Sequence, residues 1–361
     1  MITVSAPGKL FIAGEYAVVE PGYPAVLIAV DRFVTVTLEA SDGLGRLVSD
    51  QFGHRPVVWR RDGERLVIDR DQRPFDYVLA AIRVVEEFAV GRGRDLDFYD
   101  LTITSELDDR SGRKFGLGSS AAVTVATVTA LDRFYDLGLD ELSRVKLALL
   151  ATVSVNPLAS GGDVAASMYG GWIAYSSPDR SWMTARLSDT SITDLVAELW
   201  PGLSVRRLPP LSRARLVVGW TGEPASTAQL VDSIQKRKLN EDSHYEAFLD
   251  DSRACVDTLV AAFDADDLAA AQRQLHRARR LLVRLGVSAG IPIETPDLTL
   301  LCDSAEYVGA AAKSSGAGGG DCGIVLADET TDLDPMFRQW ELADIRRLSL
   351  HVHGGEDETV P

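Results

Sequence analysis

The sequence predicts a mixed α/β (α+β) protein of two domains, and three features support this prediction. At 361 residues the chain is longer than one hydrophobic core usually holds, and 46% hydrophobic residues suffice for two cores. Residues 101–105 alternate like a strand, a glycine-rich loop follows, and then comes a long run of small and apolar residues typical of a buried helix. Proline-rich residues 200–211 are typical of a linker, so we expect domains at 1–205 and 212–361.

The composition argues against several classes of protein. The net charge of −16 argues against a nucleic-acid-binding surface. Cys255, Cys302 and Cys322 have neither paired spacing nor nearby histidines, so neither disulfide bonds nor a zinc site is indicated. No run of about eighteen apolar residues occurs, and residues 7–15 interrupt the N-terminal apolar stretch too early for a signal peptide. We therefore expect a cytoplasmic protein without a nucleic-acid or membrane partner, either a monomer or a homodimer.

The first element is a short strand that continues into an apolar segment, and this segment contains two charged residues, Lys9 and Glu15. An unpaired buried charge is costly, so each of them needs a partner or a ligand. A mutual Lys9–Glu15 pair and exposure to solvent are the alternatives to a ligand.

Further along the chain, residues 23–40 are strand-like, residues 41–73 predict hairpins at an exposed edge, and residues 75–90 have the spacing of a helix that packs in the core.

Residues 112–131 are predicted to form a phosphate-binding loop and the start of a helix. The start of a helix leaves its first N–H groups unpaired and carries the positive end of the helix dipole, which favours an anion. Gly116 and Gly118 allow phosphates to approach these groups, and Ser119 and Ser120 add hydroxyls at the cap. Ser120 is also a candidate Mg²⁺ ligand, and Lys114 has the reach to neutralise a bound phosphate.

The alternative for this loop is that glycine and serine only cap a helix. The spacing of the loop differs from the Walker pattern and from the dinucleotide-binding fingerprint, so neither of these motifs explains it.

Two later segments contain polar residues at predicted helix starts. Residues 139–153 predict a helix, and Asp163 follows directly after Ser160-Gly-Gly, where an acid is either a helix cap or a catalytic group. Ser226 and Thr227 open a helix after the strand at 216–220, either as ordinary caps or as an anion site.

The last third of the chain contains an amphipathic helix and a glycine loop. The helix at 266–285 ends at Gly286, and one face carries Arg273, Arg277, Arg280 and Arg284, which either are solvated or reach a ligand. Five glycines within residues 316–323 permit close backbone approach and positive φ, as a loop that closes over a substrate needs.

Four of these segments resemble the motifs of the GHMP kinases, which are named for galactokinase, homoserine kinase, mevalonate kinase and phosphomevalonate kinase. Residues 6–19 resemble the first motif, Lys-Phe-Gly-Leu-Gly-Ser-Ser at 114–120 the ATP loop, Ser-Gly-Gly-Asp at 160–163 the segment with the catalytic aspartate, and residues 313–323 the third motif. The ATP loop and Gly-Trp-Thr-Gly-Glu-Pro-Ala-Ser at 219–226 look most like the branch that acts on 5-phosphomevalonate. Ala159 and Ser314 depart from the glycine and proline expected there.

This resemblance implies a two-domain GHMP kinase fold with a ferredoxin-like C-terminal domain. It implies transfer of the γ-phosphoryl group of ATP, with Mg²⁺, to (R)-5-phosphomevalonate to give 5-diphosphomevalonate and ADP. A kinase that acts on mevalonate itself, another small-molecule kinase of the family, and a non-catalytic ligand sensor on the same fold are the alternatives.

The resemblance also assigns roles to individual residues. The catalytic residues are Lys9, Lys114 and Asp163. ATP contacts Lys114, Gly116, Leu117, Gly118, Ser119, Ser120 and Ala121, and Ser120 binds Mg²⁺. The acceptor contacts Lys9, Glu15, Tyr16, Ser160, Asp163, Ser226, Thr227, Ser315, Gly316, Ala317 and Gly318.

Asp163 and Asp321 are expected to position other groups and not to take part in the chemical step themselves. A phosphate monoester has a second pKa of about 6, so an acceptor of this kind needs no general base. We therefore expect Asp163 to hold Lys9 by a charge-assisted hydrogen bond, and Asp321 to anchor the glycine loop.

Overall fold

The computed structural model describes residues 1–51, 56–63, 65–68, 75–109, 113–222, 230 and 243–354. The first half of the chain forms a large sheet whose path is β5-β4-β3-β6-β2-β7-β8, and β1 pairs with β2 outside this path. The long antiparallel β1/β2 ladder carries the apolar residues predicted to form strands at both positions. The strands of this sheet are β1 (Ile2–Ala13), β2 (Pro24–Ser41), β3 (Gly45–Ser49), β4 (Val57–Asp62), β5 (Arg65–Ile68), β6 (Phe98–Ser105), β7 (Trp172–Ser176) and β8 (Ser204–Leu208).

The polar stretch after β2 forms the edge of this sheet, as predicted. Strands β3, β4 and β5 pair antiparallel to one another, and β3 joins the rest of the sheet by pairing parallel to β6. The described part of residues 41–73 is thus built of edge hairpins.

Helices cover the first sheet, and the helix that follows the glycine-rich loop is largely buried. Eleven of the sixteen residues of this helix, α2, are buried, as its small and apolar side chains predict. A short 3₁₀ turn, Ala17–Val19, follows β1. The helices of this half are α1 (Asp76–Gly91), α2 (Ser119–Phe134), α3 (Glu141–Val155), α4 (Gly162–Tyr169), α5 (Arg180–Asp189) and α6 (Ile192–Ala197).

The second half of the chain forms a four-stranded antiparallel sheet of order β10-β11-β9-β12. The chain runs from strand to helices, to two strands, to a helix and to a last strand, which is the ferredoxin-like arrangement that the family resemblance implies. The strands are β9 (Ala214–Trp220), β10 (Ala311–Ser314), β11 (Cys322–Asp328) and β12 (Arg346–Leu348). The helices are α7 (Ser243–Asp264), α8 (Leu268–Ala289), α9 (Pro296–Tyr307) and α10 (Asp334–Leu342).

Two predicted boundaries differ from the structure. The supposed linker at 200–211 contains strand β8, which pairs with β7, so the chain leaves the first sheet only after Leu208. The amphipathic helix α8 continues past Gly286 to a left-handed Gly290. A Cβ atom at Gly286 would lie 2.8 Å from the Ile291 carbonyl oxygen, so this glycine permits close packing inside the helix. The division into domains 1–205 and 212–361 stays a prediction.

Within the described residues, helices of the length and apolar character needed to cross a membrane do not occur.

Candidate active site

A cavity of about 420 Å³ lies where loops from both halves of the chain meet. Its walls come from β1 and the turn after it, the glycine-rich loop before α2, the segment that joins α3 to α4, and the glycine loop between β10 and β11. The lining includes, from the residues that the sequence predicts, Lys9, Glu15, Tyr16, Lys114, Gly116, Leu117, Gly118, Ser119, Ser120, Ala121, Ser160, Asp163, Ser315, Gly316 and Ala317.

Three predicted acceptor-binding residues are not among the lining residues above, one because of its position and two because the structure does not describe them. Gly318 is not part of the cavity wall, and a Cβ atom there would lie 2.1 Å from the Ile293 carbonyl oxygen. Gly318 therefore permits the loop to pack on the chain before α9, where Gly319 N–H donates to the same carbonyl. Ser226 and Thr227 lie outside the described residues.

The start of α2 opens on the cavity through two glycines with positive φ. Gly116 has φ +78° and Gly118, the N-cap residue, has φ +82°. A Cβ atom at Gly116 would lie 2.8 Å from the Asp321 carboxylate, and one at Gly118 would lie 3.0 Å from Lys9 Cε. The cap is thus a left-handed glycine and not a serine hydroxyl, contrary to the predicted capping role of Ser119 and Ser120. The free N–H groups of the first turn remain available to an anion in the cavity.

Lys9 lies buried beneath this loop and is held by it. Lys9 is 8% exposed. Its Nζ donates to the Gly116 carbonyl at 3.3 Å, and its backbone N–H donates to the Leu117 carbonyl at 2.8 Å. Among the described residues, no ion pair links Lys9 to Asp163 or to Glu15. The expected Lys9–Asp163 hydrogen bond is therefore not formed among the described residues, and the Lys9 ammonium donates to the loop carbonyl instead.

Lys114 lines the cavity and is exposed, so its ammonium can approach a phosphate at the rim of the cavity. Burial raises the pKa of the neighbouring Asp108 carboxyl, and the positive charge of Lys114 partly offsets this rise. Lys114 thus adds positive charge at the mouth of the cavity.

Asp163 lies in the first turn of α4, whose N-cap residue is the left-handed Gly161 with φ +77°. Its Oδ1 accepts the Val164 N–H at 3.0 Å, which fixes the carboxylate at a helix start. Burial raises the pKa of Tyr77, and the negative charge of Asp163 adds to this rise, so the two side chains share one wall of the cavity. Sequence reasoning missed Tyr77 because the helical spacing of 75–90 is explained by core packing alone.

The segment before α4 is held in place from outside the cavity. Arg180 donates to the carbonyls of Leu158, Ala159 and Val19 at 3.3, 3.1 and 2.7 Å, and Tyr175 Oη donates to the Ser160 carbonyl at 2.7 Å. Ala159 has no positive φ, so its backbone conformation does not need the glycine expected there. Arg180 therefore fastens this wall of the cavity to the turn after β1.

The glycine loop is fastened to β1 and to the following turn by side chains. The Ser315 hydroxyl donates to the Phe11 carbonyl at 3.0 Å and accepts the Phe11 N–H at 2.9 Å. Tyr16 has an unusual positive φ of 61° and its Oη donates to the Ala317 carbonyl at 2.5 Å. These contacts place Ser315, Gly316 and Ala317 in the cavity wall.

A buried ion pair lies at the base of this connection. Glu15 Oε1 pairs with Lys313 Nζ, and the two side chains are 3% and 0% exposed. The predicted need of Glu15 for a partner is thus met by Lys313. Sequence reasoning did not identify this partner because 298 positions separate the two residues.

Other cavity residues that the sequence analysis did not single out as ligand contacts are Thr152, Asn156 and Asp321. The Thr152 hydroxyl is buried and has no hydrogen-bond partner in the part of the chain that the structure describes, whereas Thr124 and Thr127 donate to the carbonyl four residues earlier in their helix. Asp321 has a positive φ of 52°, and its carbonyl accepts the Thr221 N–H at 3.0 Å, in agreement with the expected anchoring role.

Family models match both halves of the chain. The model for the N terminal domain of GHMP kinases matches residues 76–171, and the model for their C terminal domain matches residues 257–343. A phosphomevalonate kinase of Streptomyces sp. strain CL190 is 44% identical over 357 residues, which are 96% of this chain and 95% of that protein.

Solved structures are similar over almost the whole chain. The Lin0012 protein of Listeria innocua has a TM-score of 0.91 and 39% identity, covering 97% of each chain. The Streptococcus pneumoniae phosphomevalonate kinase in complex with phosphomevalonate and AMPPNP has a TM-score of 0.86 and 30% identity, covering 98% of this chain and 100% of that one.

Proposed function

The chain belongs to the GHMP kinase family, among its phosphomevalonate kinases, and we infer from this that it transfers the γ-phosphoryl group of ATP to (R)-5-phosphomevalonate. The products are 5-diphosphomevalonate and ADP. The observation that carries the assignment within the molecule is that one cavity contains a glycine-rich helix start, two lysines and a carboxylate. The unpaired N–H groups at a helix start bind phosphates, and cations reduce the repulsion between two reacting anions.

The chemistry of the acceptor sets the task of the site. Because the second pKa of a phosphate monoester is about 6, its oxygens are mostly deprotonated at neutral pH, and no residue has to remove a proton. Catalysis then depends on bringing two anions together in line and on neutralising their charge.

We assign these tasks to residues on different walls of the cavity. Lys9, fixed on the Gly116 carbonyl, would neutralise charge between acceptor and phosphoryl group, and Lys114 would neutralise the γ-phosphoryl group from the rim. Asp163, fixed at the start of α4, would orient the acceptor and balance the charge of the lysines without acting as a base.

A magnesium ion fits the oxygen donors of this cavity. Mg²⁺ usually keeps several waters and binds one or two protein oxygens together with phosphates. The Ser120 hydroxyl at the start of α2 lines the cavity and would hold the ion beside the nucleotide. The ion would supply positive charge to the phosphates. Location in the cytoplasm and a monomeric or homodimeric state stay predictions.

An ADP-coupled assay across mevalonate, phosphomevalonate, homoserine and galactose tests the proposal. We expect ADP formation to depend on phosphomevalonate, with 5-diphosphomevalonate as the product. Turnover with mevalonate alone would assign the other pathway kinase, and binding of ligands without any ADP formation would assign a sensor.

A further inference from the structure

Tyr77 presents a phenol to the cavity, and the assignments above give it no task. It is the second residue of α1, a helix whose other face is buried in the core, so its backbone is held firmly. Tyr77 is half-buried and lines the cavity together with Asp163. Its side chain therefore has a defined place in the wall where a ligand can meet it.

The Tyr77 hydroxyl has no hydrogen-bond partner in the part of the chain that the structure describes. Unlike the Thr152 hydroxyl, it is not one of the side-chain oxygens that are both buried and without a partner, so a ligand in the cavity can reach it. Burial raises the pKa of Tyr77, and the charge of the nearby Asp163 adds to this rise. The hydroxyl thus keeps its proton at neutral pH and can donate it in a hydrogen bond.

A protonated phenol beside a carboxylate suits one kind of ligand atom. An anionic oxygen placed there is repelled by the Asp163 carboxylate, which is fixed by the Val164 N–H. A hydrogen bond from a neutral hydroxyl to an anionic oxygen is stronger than one to a neutral acceptor, so it offsets part of this repulsion. The lysines of the cavity supply positive charge, and Tyr77 supplies a directed donor without adding a further charge.

We propose that the Tyr77 hydroxyl donates a hydrogen bond to a phosphate oxygen that lies beside Asp163, which makes Tyr77 a substrate-binding residue of the reaction. Two such phosphates meet in the proposed reaction, the phosphate of the acceptor and the γ-phosphoryl group of ATP. Their oxygens have the same chemistry, and the binding experiment below distinguishes them. This proposal rests on the proposed function and adds a residue to its site.

Tyr77→Phe is the direct test, because it removes only the hydroxyl and keeps the ring in the cavity wall. We expect kcat/KM for at least one of the two substrates to fall about 10- to 100-fold, as for loss of a hydrogen bond to a charged group. The melting temperature should change little, since the hydroxyl has no partner within the described protein. A change of less than threefold in kcat/KM for both substrates would overturn the proposal.

Dissociation constants of four ligands then identify the phosphate. Phosphomevalonate and mevalonate differ in the acceptor phosphate, and AMPPNP and ADP, measured with Mg²⁺, differ in the γ-phosphoryl position. A bond to the acceptor phosphate predicts that Tyr77→Phe weakens binding of phosphomevalonate about 10-fold and leaves that of mevalonate unchanged. A bond to the γ-phosphoryl group predicts the same contrast between AMPPNP and ADP. Equal weakening within each pair, or no change for any of the four ligands, would contradict the proposal.

Tyr169→Phe is the matched control. Tyr169 is also half-buried, and its hydroxyl also has no hydrogen-bond partner among the described residues, but it packs under Arg207 and does not line the cavity. Its kcat/KM values should stay within about twofold of the wild type, and a loss equal to that of Tyr77→Phe would overturn the proposal. Absence of ADP formation by the wild type would instead overturn the proposed function, whereas failure of the present proposal leaves that activity in place.

Discussion

Gly118→Ala tests whether the glycine loop positions Lys9 for catalysis. An alanine at φ +82° is in the left-handed region, which costs an L-residue about 1–2 kcal/mol. Its Cβ would lie 3.0 Å from Lys9 Cε, whereas ordinary contacts begin at 3.4 Å, so the lysine must move by at least 0.4 Å (3.4 − 3.0). A misplacement of about 1 Å can cost about 100-fold in rate, so a shift of about 0.4 Å is expected to lower kcat at saturating substrates about 5- to 10-fold.

Gly309→Ala is the control for backbone strain. Gly309 has φ +83°, and a Cβ atom there would meet nothing within 4 Å. Both variants should therefore lose a similar free energy of unfolding, about 1–2 kcal/mol, which urea unfolding measures. Only Gly118→Ala should lose turnover. If kcat for the two variants agreed within twofold, the contact between the loop and Lys9 would have no role in positioning the lysine.

The remaining predictions concern the charged residues. Lys114→Ala should lower kcat about 100-fold or more with a much smaller change in KM for ATP, and Lys114→Arg should not restore it fully; a kcat near the wild-type value would contradict the role. Asp163→Asn should lose activity without its rate rising tenfold per pH unit in alkaline solution, and kcat/KM of the wild type should fall below about pH 6 as the acceptor phosphate becomes protonated. Because Lys9 is bound to the loop and not to Asp163, the losses in Lys9→Met and Asp163→Asn should multiply in the double variant, and a strongly non-additive cycle would show a direct coupling. Arg180→Met should raise KM for the acceptor more than KM for ATP, since it releases the Leu158 and Ala159 carbonyls.

The local features of the site could be predicted because they depend on short stretches of sequence. Strand β6, the glycine loop and helix α2 follow one another within 98–134, and each has a residue pattern of its own. The same holds for Asp163 at the start of α4. Local patterns identified the phosphate loop, Lys9 and Asp163, whereas the roles of Tyr16 and Ser315 and the identity of the acceptor came from resemblance to a family.

What the sequence did not reveal depends on contacts between distant residues. The pairing of Glu15 with Lys313 and the bonds of Arg180 to three carbonyls are set by tertiary packing. The strand in the supposed linker was missed because its prolines, Pro201, Pro209 and Pro210, flank β8 and do not interrupt it. Proline is tolerated at strand ends, where no ladder hydrogen bond is lost.

The two sides of the cavity differ in how far they are prepared for their ligands. On the acceptor side, contacts of Ser315, Tyr16 and Lys313 within the protein fix the glycine loop against β1 and the turn after it. The ordering cost of this loop is therefore met during folding, and acceptor binding does not have to supply it. On the nucleotide side, Lys114 is exposed, so its side chain must lose rotamer freedom when it meets a phosphate. Because Lys114 is proposed to neutralise charge on the transferring phosphoryl group, variants there should act mainly on turnover, whereas variants of the acceptor-side contacts should act mainly on KM for the acceptor.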